Sequence, residues 1–244
     1  MENETLKVIK NRKSVRIFTD EEITEEEKDI IIDGAIQAPT AGNMSLLSII
    51  DVQDQELKDK LAVSCDNQPF IKEAKMILIF VADYQKWYDS FKMYHEDART
   101  PGVGDFMLAA SDTLLASENA TIAAESLGIG SCFIGDIIEK YEYHQELLNI
   151  PKYAVPVAML VFGHPATSQI NRKKPTRFDK KYLVSVNKYE KFDEKKLQAM
   201  FDDKAKVDGR LGKDLVENIY RRKWSQPFIE EMTRSMKLWL ENFK

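Results

Sequence analysis

Cysteine is scarce: Cys65 and Cys132 are the only two in 244 residues. They stand far apart, form no Cys-x-x-Cys motif and pair with no histidine at metal-ligand spacing. Neither a disulfide framework nor a zinc centre is expected, and reduced structural thiols in a cytoplasmic protein are. The three histidines, His95, His144 and His164, lack an i, i+4 partner for a metal. No G-x-S-x-G elbow and no Walker loop occurs. Gly128-x-Gly130 lacks a third glycine and follows a helical rather than a strand pattern, which excludes a Rossmann fingerprint. Long hydrophobic runs are also missing; the longest, near 76–82 and 154–163, are too short to span a bilayer. The start, Met1-Glu-Asn-Glu, is acidic and has no apolar stretch, so no signal peptide is expected. Nor is there an excess of positive charge: 35 basic against 40 acidic side chains leave −5. That argues against a general nucleic-acid binder, although a local basic cluster can still serve one small anion.

What is present fits a soluble globular protein, with 43% hydrophobic and 31% charged residues. No linker, repeat or low-complexity tract divides the chain. A first helix is expected over roughly residues 3–10. Thr24-Glu-Glu-Glu27 reads as a capping box opening a helix that turns Ile30, Ile31, Ala35 and Ala38 inward and stops at Pro39-Thr-Ala-Gly-Asn43. The apolar run Leu46–Ile50 follows. Met76–Ala82 and Val155–Phe162 read as buried strands. Between them, about Asp105 to Leu127 forms a long helix whose Ala, Ser and Thr permit close approach, at the fold's centre or at a subunit interface. It closes at Gly128 in a left-handed turn. Helices and strands do not alternate cleanly, which favours α+β over a doubly wound sheet. Pro227 opens a terminal helix with Ile229, Met232, Met236, Trp239 and Phe243 at spacings of three and four. That stripe serves either the chain's own core or a second subunit.

Two basic segments draw attention. Arg12, Ser14 and Arg16 alternate, so an extended backbone points two guanidinium forks and a hydroxyl to one side, suiting a phosphate monoester. Arg172-Lys-Lys-Pro-Thr-Arg177 is a second cluster that can converge on the same dianion. Each, alone, also suits an exposed loop. Ser131-Cys-Phe-Ile-Gly135 offers backbone amides and a glycine that admits a flat ligand. With no triad and no metal pattern, any hard chemistry falls to a bound cofactor.

Taken together and in order, Arg12-Lys-Ser-Val-Arg16-Ile-Phe, Ala38-Pro-Thr-Ala-Gly-Asn43, Asn67-Gln68-Pro-Phe and Ala124-Glu-Ser-Leu-Gly-Ile-Gly130 resemble the nitroreductase family. Lys174-Pro-Thr-Arg177 is similar to the basic loop of its larger, flavin-reductase-like branch. The resemblance covers roughly residues 5–190. It implies an α+β three-layer sandwich, a mixed or antiparallel sheet flanked by helices, with a C-terminal helical extension after about residue 190. It also implies a homodimer with FMN at the subunit interface. Carried over by position, Arg12, Ser14, Arg16, Lys174 and Arg177 would hold the FMN phosphate, and Gln68 would hydrogen-bond the isoalloxazine. Thr40 and Asn43 would approach the flavin from the partner subunit, and Ile134 and Gly135 would line the ring near N5. The implied activity is electron transfer from NAD(P)H to nitroaromatics, quinones or similar electrophiles by a ping-pong route. The alternatives are flavin reduction, dehalogenation or other flavin chemistry on the same fold, or a flavin-binding module without turnover. One departure stands out. The family's Asn-x-Gln-Pro-aromatic loop is here Asn43-Met-Ser45-Leu-Leu, so its contacts with ring or acceptor differ.

Overall fold

The computed structural model describes residues 3–207 and 209–244; the first two residues of the acidic start lie outside them. One four-stranded antiparallel sheet is built from β1 (Leu47–Asp51), β2 (Met76–Asp83), β3 (Gly130–Ile134) and β4 (Ala154–Gly163), in the order β1-β2-β4-β3. The two central strands are the two unbroken apolar runs. Their side chains alternate between two cores, so neither face can be polar.

On one face Leu78, Phe80, Leu160 and Phe162 meet Ile31 and Ala35 from α2 (Glu25–Ile36) and Ala116, Ala120 and Ala124 from the long α5 (Val103–Ser126). The small residues of α5 therefore serve the fold's centre: a Cβ on Gly34 of α2 would stand 2.9 Å from that of Ala123. The capping box at Thr24 and Glu27 is formed as expected. Ile30 corrects the reading of α2. It is 43% exposed, because the inward stripe runs through Ile31 and Ala35, and Ile30 sits about 100° around the helix from Ile31. On the other face Ile77, Ile79, Met159 and Val161 pack with Leu61 of α3 (Gln55–Ser64), Phe106, Trp239 and Phe243. The layering is helix, sheet, helix. The remaining helices are α1 (Glu4–Asn11), α4 (Gln85–Tyr94), α6 (Tyr141–Leu147), α7 (Thr167–Ile170), α8 (Glu194–Lys206), α9 (Gly212–Ile219) and α10 (Pro227–Glu241). Among the described residues, no helix is long and apolar enough to cross a membrane.

Two compact units emerge: Met1–Arg172 with Glu231–Lys244, and Lys173–Glu230. The end of α10 completes the first unit's core. Trp239 is fully buried, stacks edge-on against Tyr141 at 4.5 Å, and donates its indole N–H to the Ile138 carbonyl at 3.1 Å. Of the two roles open to the terminal stripe, Met236, Trp239 and Phe243 take the first and pack on their own chain.

Candidate functional site

Residues 12–18 leave α1 and run along the free edge of β3. Ser14 pairs with Ser131 in a parallel bridge, the Val15 amide donates to the Ser131 carbonyl at 2.8 Å, and Phe18 bridges Pro165. Glycine makes the approach possible. A Cβ at Gly130 would fall 2.5 Å from a Val15 methyl, and one at Gly163 would fall 2.7 Å from the Phe18 ring.

This docking gathers cations. Arg172, at the end of the first unit, donates through Nη2 to the Ser14 carbonyl. Lys13 reaches the Ile170 and Arg172 carbonyls at 2.7 and 2.6 Å. Burial pushes the Cys132 thiol up, and the Arg16, Arg12 and Arg172 guanidiniums and Ser14 act against that rise. Arg12 Nη1, Arg172 Nε and Ser131 Oγ are buried there without any hydrogen-bond partner. Buried donors left orphaned cost about 1–3 kcal/mol each, more where charged, and native structures rarely leave them so. A dianionic phosphate would supply the missing acceptors, and guanidinium is the cation best matched to them.

The opposite end of β3 has a different character. Its backbone advances about 3.3 Å per residue, so Gly135 stands roughly 13 Å from Ser131. Ile134 is buried, while a Cβ built on Gly135 would meet nothing within 4 Å. A turn with Asp66 and Asn67 in the left-handed region, at φ 60° and 51°, brings in Gln68. The Gln68 side-chain amide donates to the Cys65 carbonyl at 2.9 Å and to the Asp136 carboxylate at 2.6 Å. Arg16 lies 5.8 Å from the centroid of the Phe70 ring, linking the two ends. Behind the turn, oxygens of Asp66, Asp136 and Glu139 lie within 4.8 Å of one another. Burial, then the Asp136 and Asp66 carboxylates, push Glu139 up to about 7, with Lys140 opposing.

The loop carrying Thr40 and Asn43 is held elsewhere, on α5. Asp112, 3% exposed, accepts from the Thr40 hydroxyl, the Ala41 amide at 2.9 Å and the Leu46 amide at 3.2 Å. Thr40 Oγ1 in turn accepts from the Ser45 amide at 2.7 Å, and Asn43 adopts φ 58°. Within one chain these two residues keep to their own loop and α5, apart from the residues along β3. Lys174 and Arg177 belong to the second unit, whose α8 ties their loop down through Lys204 to the Thr176 carbonyl at 2.7 Å. The largest cavity described, about 770 Å³, is also in that unit. Phe201, Leu211 and Val216 line it with Lys206, Arg210 and Lys213, and none of the expected site residues is among them.

Sequence reasoning passed over Asp112 and Asp136, and took Arg172 and Ser131 only as members of longer segments. Arg172 stood inside a basic cluster already noticed, and the fold sets its guanidinium on the Ser14 carbonyl. Asp112 and Asp136 are single polar residues whose partners lie far along the chain.

A helix–sheet–helix sandwich with an anion-seeking cluster at one end of an edge strand and an open glycine at the other defines a class, and the chain belongs to the Nitroreductase family, whose profile matches residues 9–164. It is 35% identical over 189 residues to an FMN reductase (NADPH) of Bacillus subtilis, covering 77% of this chain and 75% of that one. It is 31% identical to an oxygen-insensitive NADPH nitroreductase of Salmonella typhimurium, over 82% and 80% of the two chains. Among solved structures, B. megaterium NfrA2 superposes with a TM-score of 0.79 at 32% identity, covering 96% of this chain and 98% of that one.

Proposed function

We propose that this protein is an FMN-dependent oxidoreductase that takes electrons from NAD(P)H and passes them to a small electrophile such as a nitroaromatic or a quinone. The observation that carries the reading is the trio of buried, partnerless donors on Arg12, Arg172 and Ser131, one strand length from the open Gly135. That spacing fits a molecule with a phosphate at one end and a flat ring at the other. FMN, when bound, would supply the hydride and electron chemistry that no side chain here provides.

The chain's own residues bind and orient. Arg12, Ser14, Arg16 and Arg172 hold the phosphate, with Ser131 Oγ as a further donor. Ile134 and Gly135 form a wall against which the ring lies, and Gln68 meets it from the turn at 65–68. Thr40 and Asn43 approach from a second copy of the chain. A ring held there with one face open would serve nucleotide and acceptor in turn, so no side chain need act as nucleophile. That arrangement gives ping-pong kinetics.

The first test is an absorption spectrum of the purified protein, followed by heat release and chromatography of the chromophore. One FMN per chain supports the reading; a colourless protein that also fails to bind added FMN refutes it. NADPH oxidation with nitrofurazone, a quinone or free FMN as acceptor then fixes the reaction. Converging steady-state lines at full FMN occupancy would exclude the shared face. Free FMN as acceptor is the second reading, favoured by the Bacillus relatives at 35% and 36% identity, both named as FMN reductases.

A further inference from the structure

Gln68 is more constrained than a residue that simply reaches a ring. Its side-chain nitrogen carries two protons, and both are committed, to the Cys65 carbonyl and to the Asp136 carboxylate. Turning the amide over would set its oxygen against two acceptors, leaving all three without a proton. The turn itself is fixed, because the Gln68 backbone amide donates to the Ala62 carbonyl at 2.9 Å. Gln68 therefore has only an acceptor, Oε1, left to offer.

Resting on the FMN reading above, we propose that Asp136 is a positioning residue that locks Gln68 as an acceptor, so that Gln68 recognises a hydrogen-bond donor of the cofactor. FMN has two kinds of such donor, the imide N3–H of the ring and the ribityl hydroxyls. The N1/O2 edge, where negative charge gathers on reduction, offers acceptors only, and Gln68 Oε1 facing it would be repelled. Stabilising that edge falls to other donors, and Gln68 contributes selectivity and ring placement.

The test is a binding cycle on the full chain, read as flavin fluorescence quenching, with FMN, 3-methyl-FMN and FMN analogues lacking one ribityl hydroxyl each. The wild type is expected to bind one analogue about tenfold more weakly than FMN, the effect of one unmade hydrogen bond. Loss with 3-methyl-FMN assigns the imide, and loss with a deoxy analogue assigns that hydroxyl. Gln68→Ala should bind FMN and that analogue equally. Asp136→Ala, which frees one amide proton, should also erode the discrimination, and Asp136→Asn, which keeps an acceptor oxygen, should restore it. In the FMN-free protein the two side-chain amide protons of Gln68 should both resist solvent exchange by NMR, with one losing protection in Asp136→Ala. This last readout needs no cofactor. If the wild type binds FMN but Gln68→Ala keeps the same discrimination against every analogue, the inference falls while the FMN reading stands. Discrimination unchanged in a folded Asp136→Ala overturns the role of Asp136. A wild type that binds no FMN refutes the cofactor reading itself.

Discussion

Gly135 shows how much of this site is defined by an absent atom. Its φ of −79° and ψ of −22° suit any residue, so glycine is not required by the backbone. Open space lies where a side chain would be, and the proposed ring site requires that space. Gly135→Val should fold with a melting temperature within a few degrees of wild type while FMN affinity falls at least tenfold. An unchanged affinity would mean that the ring lies elsewhere. Glu139 makes the opposite point, that a buried group can act against stability. Its carboxyl is raised from 4.5 to about 7 by burial and by Asp136 and Asp66. Below pH 4.5 the folded and unfolded states both hold the proton, and the shift costs nothing. Between 4.5 and 7 the folded state keeps a proton that the unfolded chain releases, so stability declines as pH rises, and the full cost is present above about 7. Glu139→Gln removes that cost. Urea denaturation should show wild type and variant alike near pH 4.5 and the variant ahead by about 1–3 kcal/mol at pH 8; a pH-independent difference would refute the assignment. Such partners were not legible from sequence. Arg12, Ser14 and Arg16 show their alternation in the chain, but the orphaned nitrogen of Arg172 exists only once residues 169–172 fold back onto residue 14.

At the scale of elements, legibility followed burial. β2 and β4 are buried on both faces, so each is an unbroken apolar run that composition alone reveals. The run at 12–18 joins the sheet through isolated bridges, and what secures it is the lack of side chains on Gly130 and Gly163, in other elements altogether. The loop at 40–46 depends similarly on one residue of α5. Asp112 satisfies two backbone amides and a hydroxyl from beneath, and nothing in a helix of small residues marks it out. Asp112→Ala would leave the Ala41 and Leu46 amides without a partner. The expected loss is about 2–4 kcal/mol in denaturation experiments, with faster hydrogen exchange at those two amides. Asp112→Asn, keeping one acceptor oxygen, should recover part of it. Unchanged exchange in Asp112→Ala would show that the loop is held by its own left-handed turns.

For the molecule as a whole, the outstanding quantity is apolar surface left in water. The terminal stripe of α10 is no longer part of it, since Trp239 and Phe243 are buried in their own chain. α5 is. Its inner side builds the core, yet Met107, Leu108, Leu114 and Leu115 are each about half exposed. Residues 108 and 115 are seven apart and therefore lie along one side of the helix, as do 107 and 114. A contiguous apolar strip on a helix this long is more than a lone soluble chain usually carries, and a second copy is the covering that matches the homodimer expected from the resemblance. Asp112, which anchors the Thr40–Asn43 loop, belongs to this same helix. Pairing along α5 would thus bring that loop to the neighbouring chain's site. The protein should sediment as a dimer. Leu108→Glu with Leu115→Glu should shift it to monomer and lower FMN occupancy together, because each site would lose the loop lent by its partner. Dimers that survive the double substitution would place the interface elsewhere. Monomers that keep their full FMN would show that the site needs only one chain.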